Sequence, residues 1–133
     1  LIDTPPSLGL VTIKALVASD GVLIPMQTEY FALEGLALLS GTIREVRTLL
    51  NEHLGVDGVL LTMHSQTLLN QQVAGELLET FPDLVVKPAI RRNVRLAEAP
   101  SHGVPIHLHD PTSAGGKDYQ AIATVLERRW GLV

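Results

Sequence analysis

The 133 residues contain no cysteine. That excludes a disulfide scaffold, a thiolate metal site and a cysteine nucleophile together, and an intracellular setting fits it best. Aromatic residues are scarce at 4% and charged ones make up only 18%, against 46% hydrophobic residues. This is the balance of a folded globular chain, not a disordered one. Long apolar runs are missing too. The longest uncharged stretch, Gly58 to Gly75, is interrupted by His64, Ser65, Gln66, Asn70, Gln71 and Gln72, too polar for a membrane span. The formal net charge of −4 argues against a surface that binds nucleic acid everywhere, so any such contact must come from a local cluster. No G-x-x-x-x-G-K-[ST] phosphate loop occurs; Gly115-Gly116-Lys117 has the residue types without the spacing. The chain begins at Leu1, without an initiator methionine and with the pattern of a strand interior, so a preceding part is expected upstream.

The pattern that is present reads as alternating strands and helices. Leu1-Ile2-Asp3 reads as the end of a buried strand, and Pro5-Pro6 break it, because proline continues neither a ladder nor a helix interior. Ser7 is a candidate N-cap for a mostly buried helix over Leu8 to Ala18. Val22 to Met26, and Gly58 to Met63 within Val56 to Met63, are largely apolar runs of the kind buried on both faces of a parallel sheet. Between them Leu36, Leu39, Ile43, Val46 and Leu50 step by three and four along one helix face; Leu69, Val73, Leu77 and Phe81 mark a second helix, and Tyr119, Ile122, Leu126 and Trp130 a last one that packs on the sheet. Val85 to Ile90 reads as a short strand, Ile106 to His109 as another strand segment, and Asp110 to Gly116 as turn chemistry. The order implies parallel strands joined by helical crossovers, an α/β domain.

Three places offer chemistry. Asp3, at a strand end, is either an ordinary polar terminator or a Walker B-type aspartate that orients the Mg²⁺ of a nucleotide. Lys87, Arg91, Arg92 and Arg95 fall within nine residues with no acid before Glu98, which reads either as a solvated charged loop or as a phosphate-binding cluster. On a strand His107 and His109 would share a face near His102 and Asp110, but local hydrogen bonding is the favoured reading, since no third metal ligand is fixed by spacing.

Four stretches carry a resemblance in the right order over nearly the whole chain: Leu1 to Gly9 (LIDTPPSLG), Glu29 to Gly35 (EYFALEG), Gly58 to Met63 (GVLLTM) and Arg92 to Gly103 (RNVRLAEAPSHG). Together they resemble the carboxyl-terminal part of ParA/Soj chromosome- and plasmid-partition ATPases, of the MinD/ParA superfamily with a deviant Walker A loop. The resemblance implies a P-loop NTPase-like three-layer α/β fold with a mainly parallel sheet, incomplete at the N-terminus, with residues 1–133 as the carboxyl-terminal portion of a single ATPase domain. It implies ATP and Mg²⁺ as cofactors of the complete protein, a homodimer around two nucleotides, non-specific DNA and a ParB-type protein as partners, and a cytoplasmic, nucleoid-associated location without membrane.

By position, Asp3 would hold the Mg²⁺ shell, and Pro5, Pro6 and Ser7 would sense nucleotide state. Met63, Arg91 and Asn93 would border the base, although family members carry proline at the position of Arg91 and Met63 is equally a core residue. Arg92, Arg95 and Lys87 would contact DNA, while Ser65-Gln66-Thr67 departs from the family's Asp-x-Arg stretch. The phosphate loop and the catalytic aspartate of that family would lie upstream, so no catalytic residue is expected here and these residues alone are expected not to turn over ATP. A MinD-like membrane-associated ATPase for cell division or protein positioning is the alternative, and a non-enzymatic DNA-binding or adaptor module is another.

Overall fold

The computed structural model describes residues 1–132. Six helices and three strands follow in the order α1 (Leu10–Val17), β1 (Gly21–Gln27), α2 (Ala32–Leu49), β2 (Gly55–Thr62), α3 (Leu68–Thr80), β3 (Val85–Val86), α4 (Val94–Glu98), a 3₁₀ turn (Ala99–His102), α5 (Ile106–His109) and α6 (Ala114–Arg129). The strands form one parallel sheet in the order β1-β2-β3. Between Val22 and Leu23 the register slips, so that Val22 faces Val56 and Leu23 faces Gly58.

Strand alternation divides the core into two. Ile24 and Met26 of β1, Val59 and Leu61 of β2 and Val85 of β3 join Leu16, Leu36, Ile43, Val46, Val73 and Leu77 from α1, α2 and α3 on one face. Leu60 and Val86 point the other way and meet Ile122 and Leu126 of α6. A sheet covered on both faces is why its strands read as unbroken apolar runs. The last helix is a core helix, as its spacing indicates. Asn51 closes α1, donating from Nδ2 to the carbonyls of Leu16, Val17 and Ser19 at 3.2, 3.2 and 2.8 Å.

Several expectations are corrected. Leu1 to Asp3 lie outside the sheet and are exposed, because a strand exists only through a partner's hydrogen bonds and none reaches this segment. Gly9, not Ser7, occupies the N-cap of α1; Ser7 instead accepts the Thr12 hydroxyl at its carbonyl, 2.6 Å away. β3 stops after two residues, and Pro88, without an N–H, cannot extend it. Leu50 and Phe81, at their helix ends, and Leu69 and Tyr119, all read as seam residues, are exposed.

Ile106 to His109 form a helical turn rather than a strand, with the Pro105 carbonyl accepting from Leu108 N and His109 N at 3.0 Å each. His107 and His109 therefore do not share a face. The turn after α5 ends at Ser113, whose hydroxyl caps α6 by accepting from Gly116 N at 3.0 Å. Gly115 and Gly116 lie inside α6 because a Cβ there would come within 2.6 Å of Leu96 Cγ and 2.5 Å of the Asp110 carbonyl oxygen.

Candidate functional site

Parallel strands end together, so the carboxyl ends of β1 and β2 bring Thr28 and Met63-His64 to one edge. There the chain is tied down by side chains. Asn70 Nδ2 donates to the Thr28 carbonyl at 2.7 Å, and Asn70 Oδ1 accepts from Ser65 N and Ser65 Oγ at 2.9 and 2.7 Å. Thr28 Oγ1, fully buried, lies 3.5 Å from His64 Nδ1. Met63 has φ +49°, a left-handed conformation that costs a non-glycine residue about 1–2 kcal/mol, and it is half exposed. It is not a core residue.

Next to it, His64 N donates to Ile90 O at 3.0 Å and Arg92 N to His64 O at 2.9 Å, which extends a parallel bridge between His64 and Arg91 beyond β3. Met63 and Arg91 are thus neighbours at the strand ends. Asn93 follows as the N-cap of α4, its Oδ1 accepting from Arg95 N at 2.8 Å.

The direction of the Asp3–Gly9 segment follows from the topology of α1. Only three residues separate α1 from β1, so α1 runs back along the sheet and its N-terminus points toward the carboxyl ends of the strands. Asp3, Pro5, Pro6 and Ser7 are exposed, and among the described residues no hydrogen bond or ion pair joins them to Met63, Arg91 or Asn93.

The basic cluster is partly neutralised by acids that its own stretch does not contain. Arg91 is held by Asp118 of α6: Asp118 Oδ2 accepts from Arg91 N at 3.0 Å and Arg91 Nε at 2.9 Å, and Oδ1 from Nη2 at 2.7 Å. That hydrogen bonding holds the buried Asp118 carboxyl below its ordinary range and raises Arg91. Arg95 Nη1 donates to Glu98 Oε2 at 2.8 Å, and Arg95 Nε lies 3.6 Å from Asp110 Oδ2. Glu98 is held low chiefly by the Arg95 hydrogen bond, Asp110 chiefly by the Thr112 hydroxyl. Arg92 and Lys87 are exposed and make no ion pair among the described residues.

The acidic partners were the part missed by sequence reasoning. Asp118 had a signal, since it sits four residues before Ile122 on the buried seam of α6, where a carboxylate needs a cation. Asn70, in the first turn of α3, had none.

A family model for an AAA domain matches residues 1–56. Over 124 residues the chain is 56% identical to the sporulation initiation inhibitor protein Soj of Bacillus subtilis (strain 168), covering 92% of this chain and 49% of that protein. It is 46% identical over 132 residues to the chromosome-partitioning ATPase Soj of Treponema pallidum (strain Nichols), covering 98% and 52%. The chain is thus similar to Soj proteins over nearly its whole length. It spans about half the length of the curated relatives it matches.

Among solved structures it is similar to the crystal structure of cobyrinic acid a,c-diamide synthase from Mycobacterium smegmatis with bound ATP analog and magnesium, with a TM-score of 0.73 and 29% identity over 97% of this chain and 46% of that one. In this chain Asp3 supplies a single exposed carboxylate, and the described residues contain no group of three His, Cys, Asp or Glu side chains able to hold a metal. Those residues do not by themselves make a Mg²⁺ site.

Proposed function

We propose that this chain belongs to an ATP-dependent chromosome- or plasmid-partitioning ATPase. The observation that carries the reading is the 46% identity over 132 residues to the chromosome-partitioning ATPase Soj of Treponema pallidum. The complete protein binds ATP·Mg²⁺, with Asp3 as one carboxylate of the metal shell, Pro5, Pro6 and Ser7 as the segment that follows nucleotide state, and Met63, Arg91 and Asn93 bordering the base. It pairs as a homodimer around two nucleotides and holds DNA without sequence preference through Arg92, Arg95 and Lys87, and a ParB-type partner controls hydrolysis.

The assembly of Met63 and Arg91 at the strand ends supports the base position, because ligands of open α/β sheets bind at that edge. The clustering of cations in a chain of net charge −4 supports a local DNA contact, since counterion release rewards charges that sit together. The test is ATP hydrolysis by the protein expressed from its complete reading frame. Magnesium-dependent turnover that Asp3→Ala abolishes is expected; turnover indifferent to that substitution, or none at all, contradicts the proposal.

A further inference from the structure

Glu98 faces two basic partners with one oxygen. Its Oε2 accepts from Arg95 Nη1 at 2.8 Å, and the same atom lies 3.6 Å from His109 Nε2. That nitrogen is buried and has no hydrogen-bond partner. On its other side His109 stacks on His102, with ring centroids 4.8 Å apart and planes 25° from parallel. The groups around His109 are therefore Glu98 and Arg95 from α4, His102 from the 3₁₀ turn, and Asp110 at the end of α5, which also reaches Arg95. From α6, which packs on α5, the charged residues of the first two turns are Lys117 and Asp118. Asp118 is taken by Arg91, and neither makes an ion pair with His109.

A neutral imidazole offers the Glu98 carboxylate at most an uncharged N–H at Nε2, and with its proton on Nδ1 it offers only a lone pair. Protonated, the same nitrogen donates a charge-assisted hydrogen bond, and it competes for the oxygen that Arg95 uses. Histidine is the side chain whose ordinary titration falls between about pH 5 and 8.

We propose that Glu98 and His109 form a proton-operated latch on Arg95: protonation of His109 draws Glu98 toward the imidazolium and releases Arg95 Nη1, with Nε still beside Asp110, for a phosphate of duplex DNA. The latch rests on the reading of Arg95 as a phosphate contact. Glu98 is then a positioning residue that keeps Arg95 folded back at alkaline pH, and His109 reports the proton.

The test is fluorescence anisotropy with a duplex of arbitrary sequence, at fixed ionic strength with ATP·Mg²⁺, on the protein from its complete reading frame, near pH 6 and near pH 8. Wild type is expected to bind roughly three- to tenfold more tightly near pH 6. Glu98→Gln binds near pH 8 as tightly as wild type does near pH 6 and loses the pH dependence; His109→Gln stays at the weak, alkaline level at both. Should His109→Gln unfold, the ¹⁵Nε resonance of Arg95 gives a second readout, moving with pH in wild type and fixed in Glu98→Gln.

Glu98→Gln that binds no more tightly than wild type near pH 8, or an Arg95 resonance insensitive to pH in wild type, overturns the latch. Arg95→Ala separates the two levels. If it binds DNA as wild type does, the phosphate reading itself falls; if it binds weakly while Glu98→Gln changes nothing, only the latch falls.

Discussion

Asp118 and Arg91, 27 residues apart, are joined by three hydrogen bonds of 2.7 to 3.0 Å that fix the last helix to the loop beyond β3. One of them is donated by the Arg91 backbone, so the carboxylate positions the chain as well as the guanidinium. Asp118→Asn keeps the size and loses the charge, and Asp118→Ala also leaves the Arg91 N–H without its acceptor. Hydrogen bonds to a charged group are worth about 1.5–3 kcal/mol each, so a loss of about 2 kcal/mol in urea unfolding is expected for Asp118→Ala and less for Asp118→Asn. A midpoint unchanged in both variants would show that the pair adds no net stability.

The same pair sets an acid limit. Arg91 holds the folded-state pKa of Asp118 below its unfolded value, and Glu98 and Asp110 shift in the same direction. Such groups add stability that is fully present above the ordinary carboxylate pKa of about 4 and is lost as pH falls through the depressed folded value. The urea midpoint is expected to hold from about pH 7 to pH 5 and to fall below about pH 4. In Asp118→Asn the fall is shallower, and identical slopes in the two proteins would count against the assignment.

Glycines of one helix class divide by what surrounds them. A Cβ at Gly116 would meet the backbone oxygens of Asp110 and Pro111 at 2.5 and 2.9 Å, whereas one at Gly41, inside α2, meets nothing within 4 Å. Gly116→Ala is expected to destabilise by about 1–3 kcal/mol through backbone displacement. Gly41→Ala should stabilise by about 0.5–1 kcal/mol, since alanine loses less entropy in a helix. Thermal unfolding of the two variants gives opposite shifts, and shifts of the same sign would contradict the packing around Gly116.

How much of this was legible in the sequence depends on whether the cause was local. β1, β2, α2 and α3 follow from apolar runs and three-four spacing, because burial on both faces of a sheet writes itself into consecutive residues. Leu1 to Asp3 has the same apolar look but pairs with no strand among the described residues, and pairing is not a property of the segment that carries it. Ile106 to His109 alternates as a strand would, yet four residues after Pro105 satisfy a helical turn equally well. Gly115 and Gly116 looked like a turn because close packing against Leu96 and Asp110 also demands glycine. In the candidate site the cations were visible as a cluster. Of their acids only Glu98, three residues after Arg95, was within helical reach; Asp110 and Asp118 come from later in the chain.

One expectation concerns these residues alone. They offer one carboxylate to a metal and no phosphate loop, so the 133-residue polypeptide is expected to show no ATP turnover above background. Magnesium-dependent hydrolysis by that polypeptide, abolished by Asp3→Ala, would refute this.

The central claim is a nucleotide-governed hold on DNA through the basic stretch. The direct measurement is the affinity of the protein from its complete reading frame for duplexes of unrelated sequence, with ATP·Mg²⁺, with ADP·Mg²⁺ and without nucleotide, in wild type and Arg95→Ala. Tight binding with ATP alone, equal across sequences, weakened at least about tenfold by Arg95→Ala and falling steeply with salt is the predicted result. Binding that ignores nucleotide, or that Arg95→Ala leaves intact, would contradict it.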